Sequence, residues 1–190
     1  MQKIGIFALQ GDFEKHKIAV QKLGYQALEI RSAAQLRAAK ALIIPGGEST
    51  TLLKLIHHSH LDKELHEFAQ DFPIMGTCAG LILLAREAND LPYPTLNLID
   101  IKVQRNAYGR QRESFVDNIT LNLNGVTHSF MGVFIRAPKI IEHGSNIKIL
   151  ATHGKDAVMV ANDRILTSTF HPELSDNLHI HEYFLDNYLR

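Results

Sequence analysis

At 190 residues, with 45% hydrophobic and 21% charged side chains, the chain is long enough to bury a sizeable core and has an ordinary globular composition. Twenty basic residues balance 20 acidic ones, so no basic field marks a nucleic-acid partner and no charge run marks a disordered tail. A single cysteine rules out an internal disulfide framework, no run of about 18 apolar residues offers a membrane span, and the apolar run 4–9 is too short for a signal-peptide core; the expectation is one cytoplasmic domain over 1–190.

Residues 3–9 read as a buried strand ended by Gln10-Gly11, and Asp12 is placed to cap a helix that stops at Gly24. Residues 25–30 and 41–44 read as the next two strands, the second closed by Pro45-Gly46-Gly47. Leu52, Leu53, Ile56, Leu61, Leu65 and Phe68 predict one long helix over 50–70. A fourth strand at 73–75 runs into Gly76-Thr77-Cys78-Ala79-Gly80 and another helix. Such alternation predicts right-handed β-α-β units and a parallel sheet covered on both faces.

The second half changes character. Segments 115–123 and 127–134 are strand-like and flank Asn124-Gly125, a type I′ hairpin signal. Further strands are predicted at 147–152, 157–161 and 165–170, then a closing helix over 176–189. The fold class is therefore α/β, with an antiparallel extension. Ligands of open α/β sheets bind beyond the carboxyl ends of the parallel strands, where Gly46-Gly47 and Cys78 both fall.

G-x-C-x-G is the thiol form of a nucleophile elbow, in which small neighbours permit a strained strand-to-helix turn. The amino end of the following helix favours thiolate over thiol. A buried structural cysteine is the competing reading. Composition does not select a base among 11 histidines, but His171-Pro172-Glu173 follows an apolar strand. Proline biases His171 toward extended backbone, which would project Glu173 on the same side and let it orient the imidazole. In the 46–50 loop, Ser49 or Thr50 is a candidate helix cap. The Gly47 N–H, with that of Ala79, is a candidate oxyanion hole. No Gly-Lys-Ser/Thr follows, so a phosphate loop is not expected. His57, His58, His60 and His66 lack carboxylate or cysteine co-ligands and read as a solvated helix face, so no metal is expected. His179 and His181, two apart on a helix, face different directions. The stretch 105–112 is either a polar loop or a site for an anionic group, and Arg136 at a strand end is ambiguous alone.

Taken together, P-G-G-E-S-T (45–50), G-T-C-A-G-L (76–81), R-N-A-Y-G-R-Q (105–111), F-I-R-A-P (134–138) and F-H-P-E-L (170–174) resemble the class I, or triad, glutamine amidotransferases. G-G-E-S-T with R-N-A-Y-G-R-Q is similar, more narrowly, to the glutaminase subunits of pyridoxal 5′-phosphate synthases. The resemblance implies a three-layer, flavodoxin-like fold with a mixed, mainly parallel sheet. It implies Cys78 as nucleophile, His171 as proton shuttle and Glu173 as its orienting acid. It implies L-glutamine held by Gly47, Glu48, Ser49, Arg105, Ile135 and Arg136, with no cofactor. The partner it implies is a synthase subunit that receives ammonia and joins it to a pentose phosphate and a triose phosphate. Leu81-Ile82 departs from the polar, glutamine-containing pair that many triad amidotransferases carry after the elbow, and leucine is expected in the vitamin B6 branch. The alternatives are a glutaminase serving another synthase, such as that of histidine biosynthesis, a cysteine peptidase or deglycase on a related scaffold, and a non-catalytic glutamine sensor.

Overall fold

A computed structural model of the chain describes residues 2–107 and 114–189. In chain order the elements are β1 (Lys3–Phe7), α1 (Phe13–Lys22), β2 (Gln26–Ile30), α2 (Ala33–Leu36), β3 (Ala41–Ile44), α3 (Ser49–His58), α4 (Leu61–Asp71), β4 (Ile74–Thr77) and α5 (Ala79–Leu84). There follow β5 (Ala85–Ala88), β6 (Ile99–Gln104), β7 (Ser114–Leu123), β8 (Val126–Ile135), β9 (Lys139–His143), β10 (Lys148–His153), β11 (Asp156–Ala161), β12 (Ile165–Ser168), a 3-10 turn (Pro172–Leu174) and α6 (His179–Tyr188).

The main sheet runs β2-β1-β3-β4-β12-β11-β10-β7-β8. Its first five strands are parallel neighbours and the remaining four pair antiparallel, so the extension is nearly as wide as the parallel part. Strand alternation sorts the core into two layers. Leu42, Ile44 and Ile74 pack with Leu52, Ile56, Leu65 and the α5 leucines on one face. Ala41, Ile43 and Met75 pack with Val20, Ile180 and Phe184 of α1 and α6 on the other. The three expected layers are present.

Three local expectations change. The helix over 50–70 is two helices, α3 and α4, joined at Ser59-His60, where His60 adopts φ 53. From Ile56 to Leu61 is five residues, which at 100° each carries Leu61 roughly 140° off the apolar stripe, so an unbroken helix could not bury both. Ser59 closes α3 by donating its hydroxyl back to the Leu55 carbonyl at 2.7 Å. Second, α5 stops after six residues, and β5, β6 and β9 form a small separate sheet that the hydrophobic pattern does not predict. Third, the predicted strand over 165–170 ends at Ser168. The Asn124-Gly125 hairpin is as expected, with φ 53 and 79 at its two turn residues and Leu123 paired to Val126.

The order β3-β4-β12 in the middle of the sheet positions the site. Gly46-Gly47 follow β3, Cys78 follows β4 and His171 follows β12, so three separate chain segments emerge side by side at one sheet end.

Candidate active site

Cys78 caps α5 with φ 48 and ψ −101, a conformation that costs a non-glycine residue about 1–3 kcal/mol. Its N–H donates to the Ser168 carbonyl of β12 at 2.8 Å, tying the elbow to the strand that leads to His171. Neither flanking glycine is in the left-handed region; both are needed for close packing. A β-carbon on Gly76 would stand 2.6 Å from Leu84 Cδ1 and 2.8 Å from the Gly80 carbonyl carbon. One on Gly80 would collide with the Ile44 carbonyl oxygen. The thiol is only 6% exposed, and its Sγ lies 3.7 Å from the Ile135 carbonyl oxygen.

His171 is seated by its own N–H, which donates to the Val133 carbonyl at 2.8 Å. Its Nδ1 lies 2.7 Å from Glu173 Oε1, the contact expected from the sequence. The local reason differs from the expectation: Pro172–Leu174 is a 3-10 turn, and this turn, rather than an extended segment, carries Glu173 back under the ring. Burial lowers the His171 pKa, but the Cys78 sulfur and the Glu173 carboxylate outweigh it and raise the value to about 10. Burial likewise works against the Glu173 charge, yet His16 and His171 hold its carboxyl well below the usual range. The site therefore favours imidazolium between a carboxylate and sulfur.

Cys78 and His171 open on a cleft of about 270 Å³, near the lower bound of roughly 300 Å³ for small-molecule sites. All six residues expected to hold glutamine, Gly47, Glu48, Ser49, Arg105, Ile135 and Arg136, line this cleft. Gln10 and Ile82, which the sequence does not mark as contacts, line it too, as does Asn106 of the 105–112 stretch. Gln10 Oε1 accepts from the Glu48 N–H at 3.0 Å and packs where a Gly47 β-carbon would be, 2.5 Å away. The glycine pair thus accommodates protein neighbours as well as any ligand. Glu48, not Ser49 or Thr50, is the cap of α3: its carboxylate accepts from the Thr50 and Thr51 amides at 3.1 and 2.6 Å. Partial burial opposes its charge, but hydrogen bonds from Thr50 and Thr51 bring its pKa down to about 2. Arg105 Nη2 stands 3.9 Å from Glu48 Oε1, and its other terminal nitrogen donates to the Asp90 carbonyl. Arg136 adopts φ 42 at the end of β8. Of the 105–111 motif, residues 108–111 lie outside the described residues.

Behind Glu173 lies a polar chain that sequence reading missed. His16 and His181 are fully buried, and so is the Thr77 hydroxyl. The available signal was position: His16 stands three and four residues before Ala19 and Val20, and His181 three and four before Phe184 and Leu185, each on a buried stripe.

The SNO glutamine amidotransferase family model matches residues 6–190. The chain belongs to the SNO glutamine amidotransferase family. The pyridoxal 5′-phosphate synthase subunit PdxT of Thermosipho africanus is 43% identical, over 97% of both chains. That of Pseudothermotoga lettingae is 48% identical, over 96% of this chain and 94% of its own. A crystal structure of a glutamine amidotransferase superposes with a TM-score of 0.90 at 42% identity, covering 96% of this chain and 97% of that one. PurLQS of Thermotoga maritima, at 13% identity and a TM-score of 0.73, shares the fold.

Elsewhere in this SNO family chain, His57, His58 and His66 are exposed on α3 and α4 and His60 in the joint between them, and no metal-binding cluster occurs among the described residues. A larger cleft of about 830 Å³ opens at the opposite sheet end, beside Lys40, Pro73 and Arg164. It holds neither cysteine nor histidine. No helix among the described residues is long and apolar enough to cross a membrane.

Proposed function

We propose that the chain, as one domain over 1–190, is the glutaminase subunit of a pyridoxal 5′-phosphate synthase. The observation that carries this reading is the convergence of Cys78, His171 and the six expected glutamine contacts on one cleft, with Glu173 2.7 Å behind His171. The relatives named as PdxT support the choice of synthase.

In this reading the Cys78 sulfur attacks the side-chain amide carbon of L-glutamine. The negative charge that forms on oxygen is held by the N–H groups of Gly47 and Ala79. His171 gives its Nε2 proton to the leaving nitrogen, the carbon–nitrogen bond breaks, and ammonia departs from a glutamyl thioester. Water then gives a proton to His171 and attacks the thioester, releasing glutamate and the sulfur. Glu173 keeps the Nδ1 proton in place throughout. A free amino acid presents an ammonium and a carboxylate, and Glu48 with Arg105 and Arg136 supplies the complementary charges. Glu48 would serve the ammonium while it caps α3.

The ammonia passes to a synthase subunit that uses it with a pentose phosphate and a triose phosphate. The cysteine works as a reduced thiol, which suits a cytoplasmic setting. Docking is expected to activate the glutaminase by reorienting the Gly46–Gly47 peptide. The deciding experiment measures glutamate release with and without a pyridoxal phosphate synthase subunit and follows pyridoxal phosphate by its absorbance. Faster release and product formation in the complex support the reading. Equal rates refute activation on docking, and ammonia without pyridoxal phosphate points to another acceptor. Peptide cleavage without glutaminase activity overturns the chemistry.

A further inference from the structure

Glu173 Oε2 is buried and takes no well-aligned hydrogen bond among the described residues, although Oε1 is committed to His171. It faces His16 Nε2 at 3.3 Å. The same nitrogen stands 3.2 Å from Thr77 Oγ1, which accepts the Gly46 N–H at 3.1 Å. The other nitrogen, His16 Nδ1, lies 2.9 Å from His181 Nε2. His181 Nδ1 is buried with no hydrogen-bond partner among the described residues.

A carboxylate only accepts hydrogen bonds, so His16 Nε2 must carry a proton to serve Glu173. At His181, burial lowers the pKa to about 3, which leaves one proton for two nitrogens. An unpartnered lone pair at Nδ1 is a smaller cost than an unpartnered N–H, so the proton belongs on Nε2, facing His16. One direction then runs through the whole chain: His181 Nε2–H to His16 Nδ1, and His16 Nε2–H to Thr77 and Glu173.

We infer that His16 is a positioning residue that holds the outer oxygen of Glu173, and that His181 fixes His16 in the tautomer this requires. The inference rests on reading Cys78, His171 and Glu173 as the triad. His16 acts on glutamine only through Glu173. Through Thr77 it also joins the triad acid to the loop that carries the oxyanion donor at Gly47.

The test uses geometry within conservative variants. A glutamine side chain places its amide nitrogen where Nε2 was, and asparagine places it near Nδ1. With the full-length chain and its synthase partner, His16→Leu is expected to lower kcat for glutamine about 10-fold or more with KM nearly unchanged. His16→Gln is expected to recover most of that loss and His16→Asn little of it. His181→Gln is likewise expected to outperform His181→Leu. The ¹⁵N-histidine NMR spectrum of the unsubstituted protein should show the Nε2–H tautomer at His16 and His181. Equal activity of the Gln and Asn variants at position 16, an unchanged kcat in His16→Leu, or a proton on His16 Nδ1 alone overturns the inference. If His16→Leu does not fold, the Gln/Asn contrast and the tautomer spectrum still decide it. Absence of glutaminase activity in the unsubstituted complex is a failure of the triad reading instead, distinguishable because the tautomers are read without turnover.

Discussion

A β-carbon on Gly46 would stand 2.9 Å from His171 Nδ1 and closer still to Cε1. The imidazole therefore rests on the backbone of the glycine loop, and the proposed base and the loop bearing the proposed oxyanion donor share one surface. Gly46→Ala must push the ring off this seat. Glutamine hydrolysis is expected to fall about 100-fold, the scale of a 1 Å displacement of a reacting group. Steady-state kinetics in the complex checks this, and a rate within threefold of the unsubstituted protein overturns it.

Cys78 combines a proposed chemical role with backbone strain, and two substitutions separate them. Cys78→Ala is expected to abolish glutamate and ammonia release while leaving the circular dichroism spectrum intact. Cys78→Gly should be equally inactive but more stable than Cys78→Ala by about 1 kcal/mol, because glycine meets φ 48 and ψ −101 without a side-chain penalty. Thermal unfolding of the two variants measures the difference. Persisting glutaminase activity in either removes the sulfur from its proposed role.

Glu48 is expected to show a split phenotype because it serves a helix and lines the cleft. Glu48→Ala removes the cap of α3, costing about 1 kcal/mol in urea unfolding, and is expected to raise KM for glutamine at least 10-fold. Glu48→Asp should keep much of the cap while the shortened carboxylate still weakens binding. A variant that loses stability with KM unchanged would assign Glu48 to the helix alone.

Acid sensitivity should trace to His181. Its folded pKa is about 3 against an ordinary 6.5, so the unfolded chain takes up a proton that the folded one refuses. The His181 contribution to stability is then complete above pH 6.5 and falls as pH drops, with a slope approaching about 1.4 kcal/mol per unit. His171, raised to about 10, is protonated in both states below 6.5, so its stabilisation is fully present there and adds no slope; it is lost only as pH rises from 6.5 toward 10. Glu173, a depressed carboxyl, adds its own loss only below about 4.5. Urea titrations between pH 6.5 and 4.5 should therefore show a slope that His181→Leu flattens. An unchanged slope in that variant overturns the assignment.

The parts of the site that follow apolar runs were legible one by one. Gly46-Gly47 and Cys78 each end a short buried strand, and a strand followed by a ligand loop is a local pattern. Their adjacency to His171 was not local. It depends on β12 pairing with β4 in register Ile165 to Ile74, a choice made between segments about 90 residues apart. The small sheet escaped for a similar reason: Ala85-Arg86-Glu87-Ala88 has helical composition, and only its pairing with β6 makes it a strand. His16 and His181 stayed hidden because a histidine on an apolar stripe reads equally as filler or as part of a network. Their partner at 2.9 Å lies 165 residues away in sequence.

The placement of β12 between β4 and β11 also bears on when the proposed site is assembled. A chain synthesised from its amino terminus exposes Cys78 long before Ser168, His171 and Glu173 exist. Without them the elbow lacks both its anchor to the Ser168 carbonyl and its proposed base. Pairing of such sequence separation forms late, because loop closure must be met before the contact returns anything. The proposed site is therefore assembled only when the sheet is complete. Insertion of a single central strand completes the proposed triad, so a truncated or stalled chain is expected to be inert toward glutamine rather than a source of uncontrolled ammonia.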